Sequence, residues 1–368
     1  MPKNADMMLQ QKLTAEQVAH AYELINSANH IVILTHLSPD GDAMGSSLGM
    51  RHYIEQIGKN DVRVVVPNGF PSFLKWMPGA NEVLLYDTQK AQADSCLDCA
   101  DLVICTDFNE PKRIGALGEK LVSLSCPKLM IDHHLHPAEF VDVAMSYPDS
   151  ASASELVYRF ISQSVTSGLC PFPMEQLNLH SATCLYTGMM TDTGNFSFNS
   201  NHSEMYEIVG QMVALGVNKD AVYNAVFNNY SADRMRLMGY CLYQKMRIFP
   251  EYHTALIYLN RKELYRFNFQ SGDAEGIVNL PLQISDVYYS CFMREDKTTA
   301  FEKEQHNGEK TKVKISLRSQ GDRPVNVFAN EIFSGGGHAN ASGGEFYGPL
   351  PQAVERFLQN YERYFKKD

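Results

Sequence analysis

The segment Ile31-Val-Ile-Leu-Thr-His36-Leu-Ser-Pro39-Asp40-Gly41-Asp42 decides the fold. Its apolar start predicts a short buried strand, and a helical pattern at 43–57 follows a turn that contains Pro and Gly. A strand that leads into a helix is the building unit of a parallel α/β sheet. Open sheets of this kind bind ligands beyond the carboxyl ends of their strands, so we expect chemistry at His36, Asp40 and Asp42.

The alternation of strands and helices continues along the chain. A helix is predicted at 16–28, and further strands at 62–66, 102–106 and 129–131. The pattern then becomes helical at 153–164, 174–190, 203–215 and 232–246. Strands return at 253–259, 287–293 and 313–317, with an exposed hairpin loop at 295–312, a glycine-rich turn, and a closing helix at 350–364. We therefore predict an α/β protein with a parallel-sheet N-terminal domain and flanking helices (1–200), a helical linker (201–246) and a smaller α/β C-terminal domain (247–368).

Composition excludes several classes of protein. The 368 residues carry 32 Lys and Arg against 42 Asp and Glu, a net charge of −10, which argues against a protein that coats duplex DNA. The longest apolar runs are too short to span a bilayer, and residues 1–11 lack the pattern of a secretion signal, so we expect a cytoplasmic protein. The eight scattered cysteines predict reduced thiols, and the isolated pair Cys96 and Cys99 is a weak signal for a metal.

Carboxylates and imidazoles follow other predicted elements. Asp107 ends one strand, Asp132-His133-His134 ends another, and Asp192 follows a helix. Taken alone, each Asp would be a turn or cap residue, and a His pair would be ordinary packing. Four segments, however, deliver the same ligand types to one edge of the predicted sheet. This mixture suits Mn²⁺ or a similar divalent cation.

The C-terminal part carries a second candidate site. Residues 312–319 alternate polar and apolar side chains like a half-buried strand, and Gly335-Gly336-Gly337-His338 follows. Glycines let backbone N–H groups approach a phosphate, and an adjacent helix start would add its positive end; a flexible connector is the alternative. Local cations are supplied by Lys312, Lys314, Arg318 and Arg323, although a solvated strand face explains the two lysines equally well.

These motifs together resemble those of the DHH phosphoesterase superfamily. The similarity rests on His36-x-x-Pro39-Asp40-Gly41-Asp42-Ala43-x-Gly45-Ser46, Asp107, Asp132-His133-His134, and Gly335-Gly336-Gly337-His338-x-x-Ala341-Ser342-Gly343. It extends from about residue 15 to 365 and is greatest for the branch of bifunctional nanoRNases (oligoribonucleases) and pAp phosphatases. The sequence departs from the family pattern at Ser38, Ser334 and Ala339; Ala339 stands where a Lys is common, which leaves the preferred substrate length open.

The resemblance implies roles for particular residues. The first of two Mn²⁺ ions, with Mg²⁺ or Co²⁺ as alternatives, would be held by His36, Asp40 and Asp107. The second would be held by Asp42, Asp107, His133 and Asp192. The implied catalytic residues are Asp107, Asp132, which would orient an imidazole, and His134, which would reach the substrate phosphate or the leaving oxygen. The nucleotide end would be gripped by Arg318, Ser319, Gly335, Gly336, Gly337 and His338.

The resulting hypothesis is a metal-dependent phosphodiesterase and phosphomonoesterase. Its catalytic DHH domain would hydrolyse short single-stranded oligoribonucleotides or dinucleotides such as pApA to mononucleotides, and pAp to AMP, with a hydroxide activated by two metal ions. We expect neither duplex DNA nor a membrane as a partner, and a homodimer is compatible with the sequence. The alternatives are an inorganic pyrophosphatase or exopolyphosphatase of the same superfamily, and a non-catalytic nucleotide sensor.

Overall fold

The computed structural model describes residues 12–270, 272–298, 303 and 306–365. The polar N-terminus 1–11 and part of the predicted loop 295–312 lie outside the described residues. The chain divides into two compact units, and it passes from the first to the second between Asn229 and Tyr230. The predicted boundaries at 200 and 246 stay a prediction.

The first unit contains a parallel sheet with helices on both faces. The described strands lie in the order β3-β2-β1-β4-β5-β6, and all neighbouring pairs are parallel. These strands are β1 His30–Leu34, β2 Asp61–Val66, β3 Leu84–Leu85, β4 Leu102–Thr106, β5 Lys128–Asp132 and β6 Val143–Ser146. The helices are α1 Ala15–Ser27, α2 Gly41–Gln56, α3 Lys90–Asp98, α4 Ala116–Ser123, α5 Ala153–Thr166, α6 Leu179–Asp192, α7 Ser203–Ala214 and α8 Lys219–Phe227.

The apolar runs of the sequence become strands that are buried on both faces. Ile33 packs in the core shared with α2, α5 and α6, whereas its neighbour Leu34 packs in the core on the opposite face. Both side chains are fully buried, which contributes about 2 kcal/mol each to folding. Strand order reverses between β1 and β4, and open α/β sheets bind ligands at the carboxyl ends of the strands at such a point.

The second unit contains a mixed sheet in the order β11-β12-β10-β9-β8-β7, in which only the pair β8 and β9 is parallel among the described strands. The strands are β7 Arg247–Phe249, β8 Thr254–Leu259, β9 Tyr289–Lys297, β10 Thr311–Ser319, β11 Gly336–His338 and β12 Ala341–Tyr347. The helices are α9 Ala232–Tyr240, α10 Arg261–Arg266, α11 Asn326–Phe333, α12 Leu350–Leu358 and α13 Tyr361–Tyr364. The α/β prediction is confirmed in both units.

Several predicted elements differ in the structure. The predicted helix 174–190 is interrupted, because Asn178 caps a new helix, α6, by accepting a hydrogen bond from the backbone N–H of His180. Helix 232–246 changes to a π-helical turn at Cys241–Lys245. The closing helix divides into α12 and α13. The loop predicted at 295–312 is shorter, since β9 runs to Lys297 and β10 begins at Thr311.

The glycine-rich turn was also predicted wrongly. Gly336–His338 and Ala341–Tyr347 form strands β11 and β12, and α11 ends at Phe333 just before the glycines. The end of α11 that precedes the glycines is therefore its carboxyl end, with the negative pole of the helix dipole, and not the expected helix start.

Two sequence expectations about composition can be compared with the described residues. All eight cysteines lie among them and carry free thiols, of which those of Cys105, Cys184, Cys241 and Cys291 are buried. Among the helices described, none combines the length and apolar composition needed to cross a membrane.

Candidate metal centre

The turn after β1 brings His36 and Asp40 together. Asp40 caps α2, because its Oδ1 accepts hydrogen bonds from the backbone N–H groups of Asp42 and Ala43, each at 3.0 Å. Its Oδ2 lies 3.7 Å from Nε2 of His36, whose Nδ1 donates to the carbonyl of Leu37. One carboxylate thus both caps the helix and faces the imidazole, so Asp40 can be a cap residue and a candidate metal ligand at the same time.

Asp107 lies at the centre of a cluster of carboxylates and imidazoles that includes His36 and Asp40. It follows β4 with a φ of 62°, a left-handed conformation that is uncommon for a residue other than glycine. Its side chain is almost completely buried, with Oδ2 3.4 Å from Nε2 of His36 and Oδ1 3.4 Å from Nε2 of His133. The strained backbone places one carboxylate between two imidazoles that come from different strand ends.

The Asp-His-His segment after β5 supplies two differently held imidazoles. Nδ1 of His134 donates to Oδ1 of Asp132 at 2.8 Å, and Oδ2 of Asp132 accepts the backbone N–H of His134. Nδ1 of His133 instead donates to the backbone carbonyl of Ser150 at 3.2 Å. Each ring therefore has its Nδ1 engaged and its Nε2 directed elsewhere.

Close packing of α2 against α6 brings two more carboxylates to the cluster. A Cβ on Gly45 would lie 2.8 Å from the backbone of Gly188, so the two helices approach as closely as glycine allows. Asp42 stands in the first turn of α2, and Asp192 is the last residue of α6. Oδ2 of Asp192 lies 3.5 Å and Oδ2 of Asp42 lies 3.8 Å from Nε2 of His133.

Crowded carboxylates change the pKa of the imidazoles. Burial alone would lower the pKa of His36, but its contacts with Asp107 and Asp40 outweigh burial and raise that pKa to about 10. Burial also opposes the charged form of His133, yet Asp107 and Asp192 raise its pKa well above the usual range. His134 behaves differently, because burial lowers its pKa despite the contact with Asp132.

The carboxylates respond to the same environment. Burial, reinforced by Asp107 and Asp192, raises the pKa of Asp42 well above its usual value. Burial would raise the pKa of Asp107 as well, but the imidazoles of His133 and His36 hold it well below the usual range. In the chain alone, the positive charge beside Asp107 therefore comes from the protonated imidazoles of His133 and His36.

The donor set fits a pair of divalent cations. Within the first unit, Asp107 belongs to three groups whose ligand atoms lie within 4.8 Å of one another: His36, Asp40 and Asp107; Asp42, Asp107 and His133; and Asp107, Asp132 and His134. Oδ1 of Asp107 is buried and receives no hydrogen bond of good geometry from the described residues. A buried carboxylate oxygen in this position is the ligand that a cation requires.

The predicted substrate residues of the second unit lie side by side in the sheet. Arg318 of β10 and His338 of β11 both pair with Ala341, which lies between them on β12, so their side chains lie on the same face. Ser319 is buried at the end of β10. The glycines are packed closely: a Cβ on Gly335 would lie 1.9 Å from the carbonyl oxygen of Gly343.

Other predicted cations have partners within the second unit. Nζ of Lys312 lies 3.3 Å from Glu345, and Nζ of Lys314 lies 3.9 Å from Asp296. The guanidinium of Arg323 lies over the ring of Tyr288 at 4.1 Å. Lys312 is only 4% exposed. The alternative prediction, that Lys312 lies on a solvated strand face, is therefore wrong.

Sequence reasoning missed the segment that contacts Asp42 and His133. Oδ2 and Oδ1 of Asp42 accept the backbone N–H groups of Ala153 at 2.7 Å and Ser154 at 2.9 Å, at the start of α5. The pattern Ser152-x-x-Glu155 is a helix-start signal and could have located this turn. Its contact with Asp42, more than a hundred positions earlier, leaves no trace in the local sequence.

Comparison with known proteins identifies two domain families in the chain. Residues 30–189 match the DHH family, N-terminal domain, and residues 257–367 match the DHHA1 domain. The bifunctional oligoribonuclease and PAP phosphatase NrnA of Thermus thermophilus is 28% identical over 331 residues, which cover 89% of this chain and 88% of that protein. The cyclic-di-AMP phosphodiesterase GdpP of Bacillus subtilis is 24% identical over 99% of this chain but 52% of its own length.

A solved structure extends the likeness to the whole chain. An exopolyphosphatase-related protein from Bacteroides fragilis is 43% identical, with a TM-score of 0.84 and coverage of 97% of this chain and 98% of that one. The two matched domains include both the strand-end motifs of the first unit and the glycine-rich strands of the second. The chain therefore belongs to the DHH phosphoesterase family and consists of a DHH domain followed by a DHHA1 domain.

Proposed function

We propose that the chain is a manganese-dependent phosphodiesterase and phosphomonoesterase. It hydrolyses short oligoribonucleotides and dinucleotides such as pApA to mononucleotides, and pAp to AMP. The observation that carries the proposal is the position of Asp107, which is buried with one oxygen 3.4 Å from His36 and the other 3.4 Å from His133. One carboxylate in that position can serve two cation sites.

The residues divide between those two sites. One cation would be held by His36, Asp40 and Asp107, and the other by Asp42, Asp107, His133 and Asp192. Paired divalent cations stabilise charge on the attacking and leaving oxygens of a phosphoryl centre and lower the pKa of water. Imidazole together with carboxylate is a donor set that suits Mn²⁺, with Mg²⁺ and Co²⁺ as alternatives.

The neighbouring pair Asp132 and His134 acts on the substrate. Asp132 accepts from Nδ1 of His134 and fixes the orientation of the ring, which leaves Nε2 to contact the substrate phosphate or the leaving oxygen. Burial lowers the pKa of His134, so an anion beside Nε2, such as a substrate phosphate, is needed to favour the charged form that donates from Nε2. Asp132 is then a positioning residue, and His134 is the group that touches substrate.

The second unit supplies recognition of the nucleotide end. Arg318 and His338 share one face of the sheet, so they present a guanidinium and an imidazole in one row. Arg318 offers a planar fork of donors that matches a phosphate. The net charge of −10 favours a short substrate held by a few local cations over a long duplex, and the relative named as an oligoribonuclease and PAP phosphatase supports that size class.

Hydrolysis of phosphate chains is the second candidate. It is favoured by the 43% identical structure described as exopolyphosphatase-related. The two candidates share the metal cluster and differ in the group that the second unit recognises. A nucleotide offers a base and a ribose to this unit, whereas polyphosphate offers phosphate alone.

A side-by-side assay tests the proposal. Purified protein with Mn²⁺, Mg²⁺ or Co²⁺ is offered pApA, a three-nucleotide RNA, pAp, pyrophosphate and polyphosphate, with Asp107→Ala as the control. Release of AMP from pApA, the RNA or pAp, highest with Mn²⁺ and absent in the variant, is the expected result. Release of phosphate from pyrophosphate or polyphosphate alone would replace the proposal with the second candidate. Nucleotide binding without turnover under any metal would indicate a sensor.

A further inference from the structure

The turn that opens α5 contacts two proposed metal ligands at once. The carbonyl of Ser150 accepts from Nδ1 of His133, while the N–H groups of Ala153 and Ser154 donate to the carboxylate of Asp42. This turn follows Asp42 by more than a hundred residues and His133 by 17, and it carries no ligand atom itself. Its conformation nevertheless sets the direction in which Nε2 of His133 points.

A buried ion-pair network holds that turn in place. Glu155 is fully buried, and its Oε2 accepts the backbone N–H of Ala151 at 2.8 Å. Its Oε1 accepts from Nε of Arg159 at 2.7 Å, one helical turn further along α5. The other end of the guanidinium donates to Glu204 of α7 at 2.6 Å. Arg159 therefore links the turn to a second helix.

A contribution to stability does not explain why these three charged side chains are buried together. A buried Arg between two carboxylates contributes little net stability compared with apolar residues of similar volume, because each charge loses its hydration. What the network does provide is geometry: the planar guanidinium fixes both carboxylates, and Glu155 fixes Ala151, the residue after the carbonyl that holds His133.

We propose that Arg159, through Glu155, is a positioning residue for the metal centre: it fixes the 150–154 turn and thereby the tautomer and direction of His133 and the orientation of Asp42. With Nδ1 of His133 committed to the Ser150 carbonyl, the lone pair for a cation is on Nε2, which lies 3.4 Å from Asp107 and 3.5 Å from Asp192. This inference rests on the proposed metal site.

The variants Arg159→Met and Arg159→Lys test it in the full-length protein. Arg159→Met keeps the bulk of the side chain and removes the guanidinium, whereas Arg159→Lys keeps the charge and loses the fork. Gln163→Met is the matched control, because Gln163 is buried one turn further along α5 and its side chain hydrogen-bonds only to the backbone of Leu13 in the described structure. Mn²⁺ affinity and stoichiometry are measured by calorimetry on metal-free protein, and melting temperature is measured alongside.

The expected result separates positioning from stability. Arg159→Met should weaken Mn²⁺ binding at one of two sites by about tenfold, with Arg159→Lys intermediate, and nitrogen-15 NMR of the histidine rings, recorded with diamagnetic Mg²⁺ in place of Mn²⁺, should show His133 losing its single tautomer. Gln163→Met should lower the melting temperature and leave Mn²⁺ affinity unchanged.

Three outcomes would count against the ideas in different ways. Equal Mn²⁺ affinity in the wild type, both Arg159 variants and the control would overturn the inference. So would an equal loss of affinity in Gln163→Met, since the effect would then follow stability alone. Wild-type protein that binds no divalent cation would contradict the proposed metal site instead. Should Arg159→Met fail to fold, Arg159→Lys still decides between these results.

Discussion

The two units present their candidate functional groups in opposite ways. In the first unit, side chains that follow β1, β4 and β5 converge beyond the strand ends. In the second, Arg318 and His338 stand within strands, and Gly335 beside them is packed against neighbouring backbone. Loops beyond strand ends can direct side chains in many directions, whereas residues that are paired across strands are held in a repeating frame. The first arrangement suits chemistry, and the second suits recognition of a fixed shape.

The two units also differ in how far their carboxylates are matched by positively charged groups. In the second unit, Glu263 accepts hydrogen bonds from Lys245 at 2.8 Å, Tyr240 at 2.7 Å and the backbone of Asn260 at 2.9 Å. One carboxylate there meets one ammonium group. In the first unit, carboxylates outnumber imidazoles around Asp107. A matched cluster supports the fold, whereas an excess of buried carboxylates favours either a raised carboxyl pKa, as at Asp42, or a bound cation.

The largest expected effect comes from removing the shared carboxylate. Asp107→Ala should reduce metal-dependent release of AMP from pApA by at least about a thousandfold, because both proposed cation sites lose a ligand. Asp61→Ala is the control, since Asp61 is a half-exposed carboxylate of the same unit paired with His30. Its activity should stay within about twofold of wild type. Equal activity of the two variants would place the reactive centre elsewhere.

A smaller loss is expected when only one cation site is damaged. His36→Ala removes a ligand of one site and leaves Asp42, His133 and Asp192 in place, so bound Mn²⁺ should fall from two ions to one per chain. Activity should fall by about a hundredfold. Metal content after desalting, measured by mass spectrometry, checks the stoichiometry. Loss of both ions would show that the sites bind cooperatively and that His36 serves more than one of them.

Much of the first unit could be predicted from the sequence because strand ends carry a readable signal. Apolar runs at 31–34, 102–105 and 129–131 stop at polar residues, and parallel strands bring such ends to one edge. The proposed ligands His36, Asp107 and His133 follow these ends. Asp192 was harder to place, since its position depends on glycine contacts between α2 and α6 that arise only on packing.

Other parts could not be predicted for physical reasons. β3 has two residues and β6 has four, too few for a periodic pattern to emerge. Gly336–His338 looks like a loop because glycine has no side chain to show alternation, and its strand conformation comes from pairing with β12. The turn at 150–154 has a local helix-start signal, but its partners Asp42 and His133 are known only from the tertiary fold.

The next largest effect is expected in the glycine strand, which is β11 (Gly336–His338). Gly337 has a φ of 132°, and a Cβ there would lie 2.6 Å from the carbonyl oxygen of Ala341, whereas a Cβ on Gly336 would meet no atom within 4 Å. Gly337→Ala should therefore lower the free energy of unfolding by about 2 kcal/mol, and Gly336→Ala should change it by less than about 0.5 kcal/mol. Urea denaturation measures both values. Equal stability of the two variants would mean that the glycine strand is less closely packed than described.

The smallest expected effect belongs to the matched cluster around Glu263. Burial would raise the pKa of this carboxyl, but Lys245 and the cap of α10 lower it below its usual 4.5. A lowered pKa means that the ionised form stabilises the fold above pH 4.5 and that this contribution is lost as the pH falls through the lowered value. Glu263→Gln keeps the shape and, through its one oxygen, the helix-capping bond, while it removes the charge and replaces the oxygen that accepts from Lys245 and Tyr240 with an NH₂ group.

The variant should therefore be less stable by about 1 kcal/mol at pH 7, and the difference should shrink as the pH falls below 4.5. Unfolding by urea at several pH values measures it, and hydrolysis of pApA at pH 7 should be unchanged. A loss of activity without a loss of stability would contradict the structural role that we assign to Glu263. The charge-matched cluster around Glu263 would then act in hydrolysis, which we expect only of the cluster around Asp107.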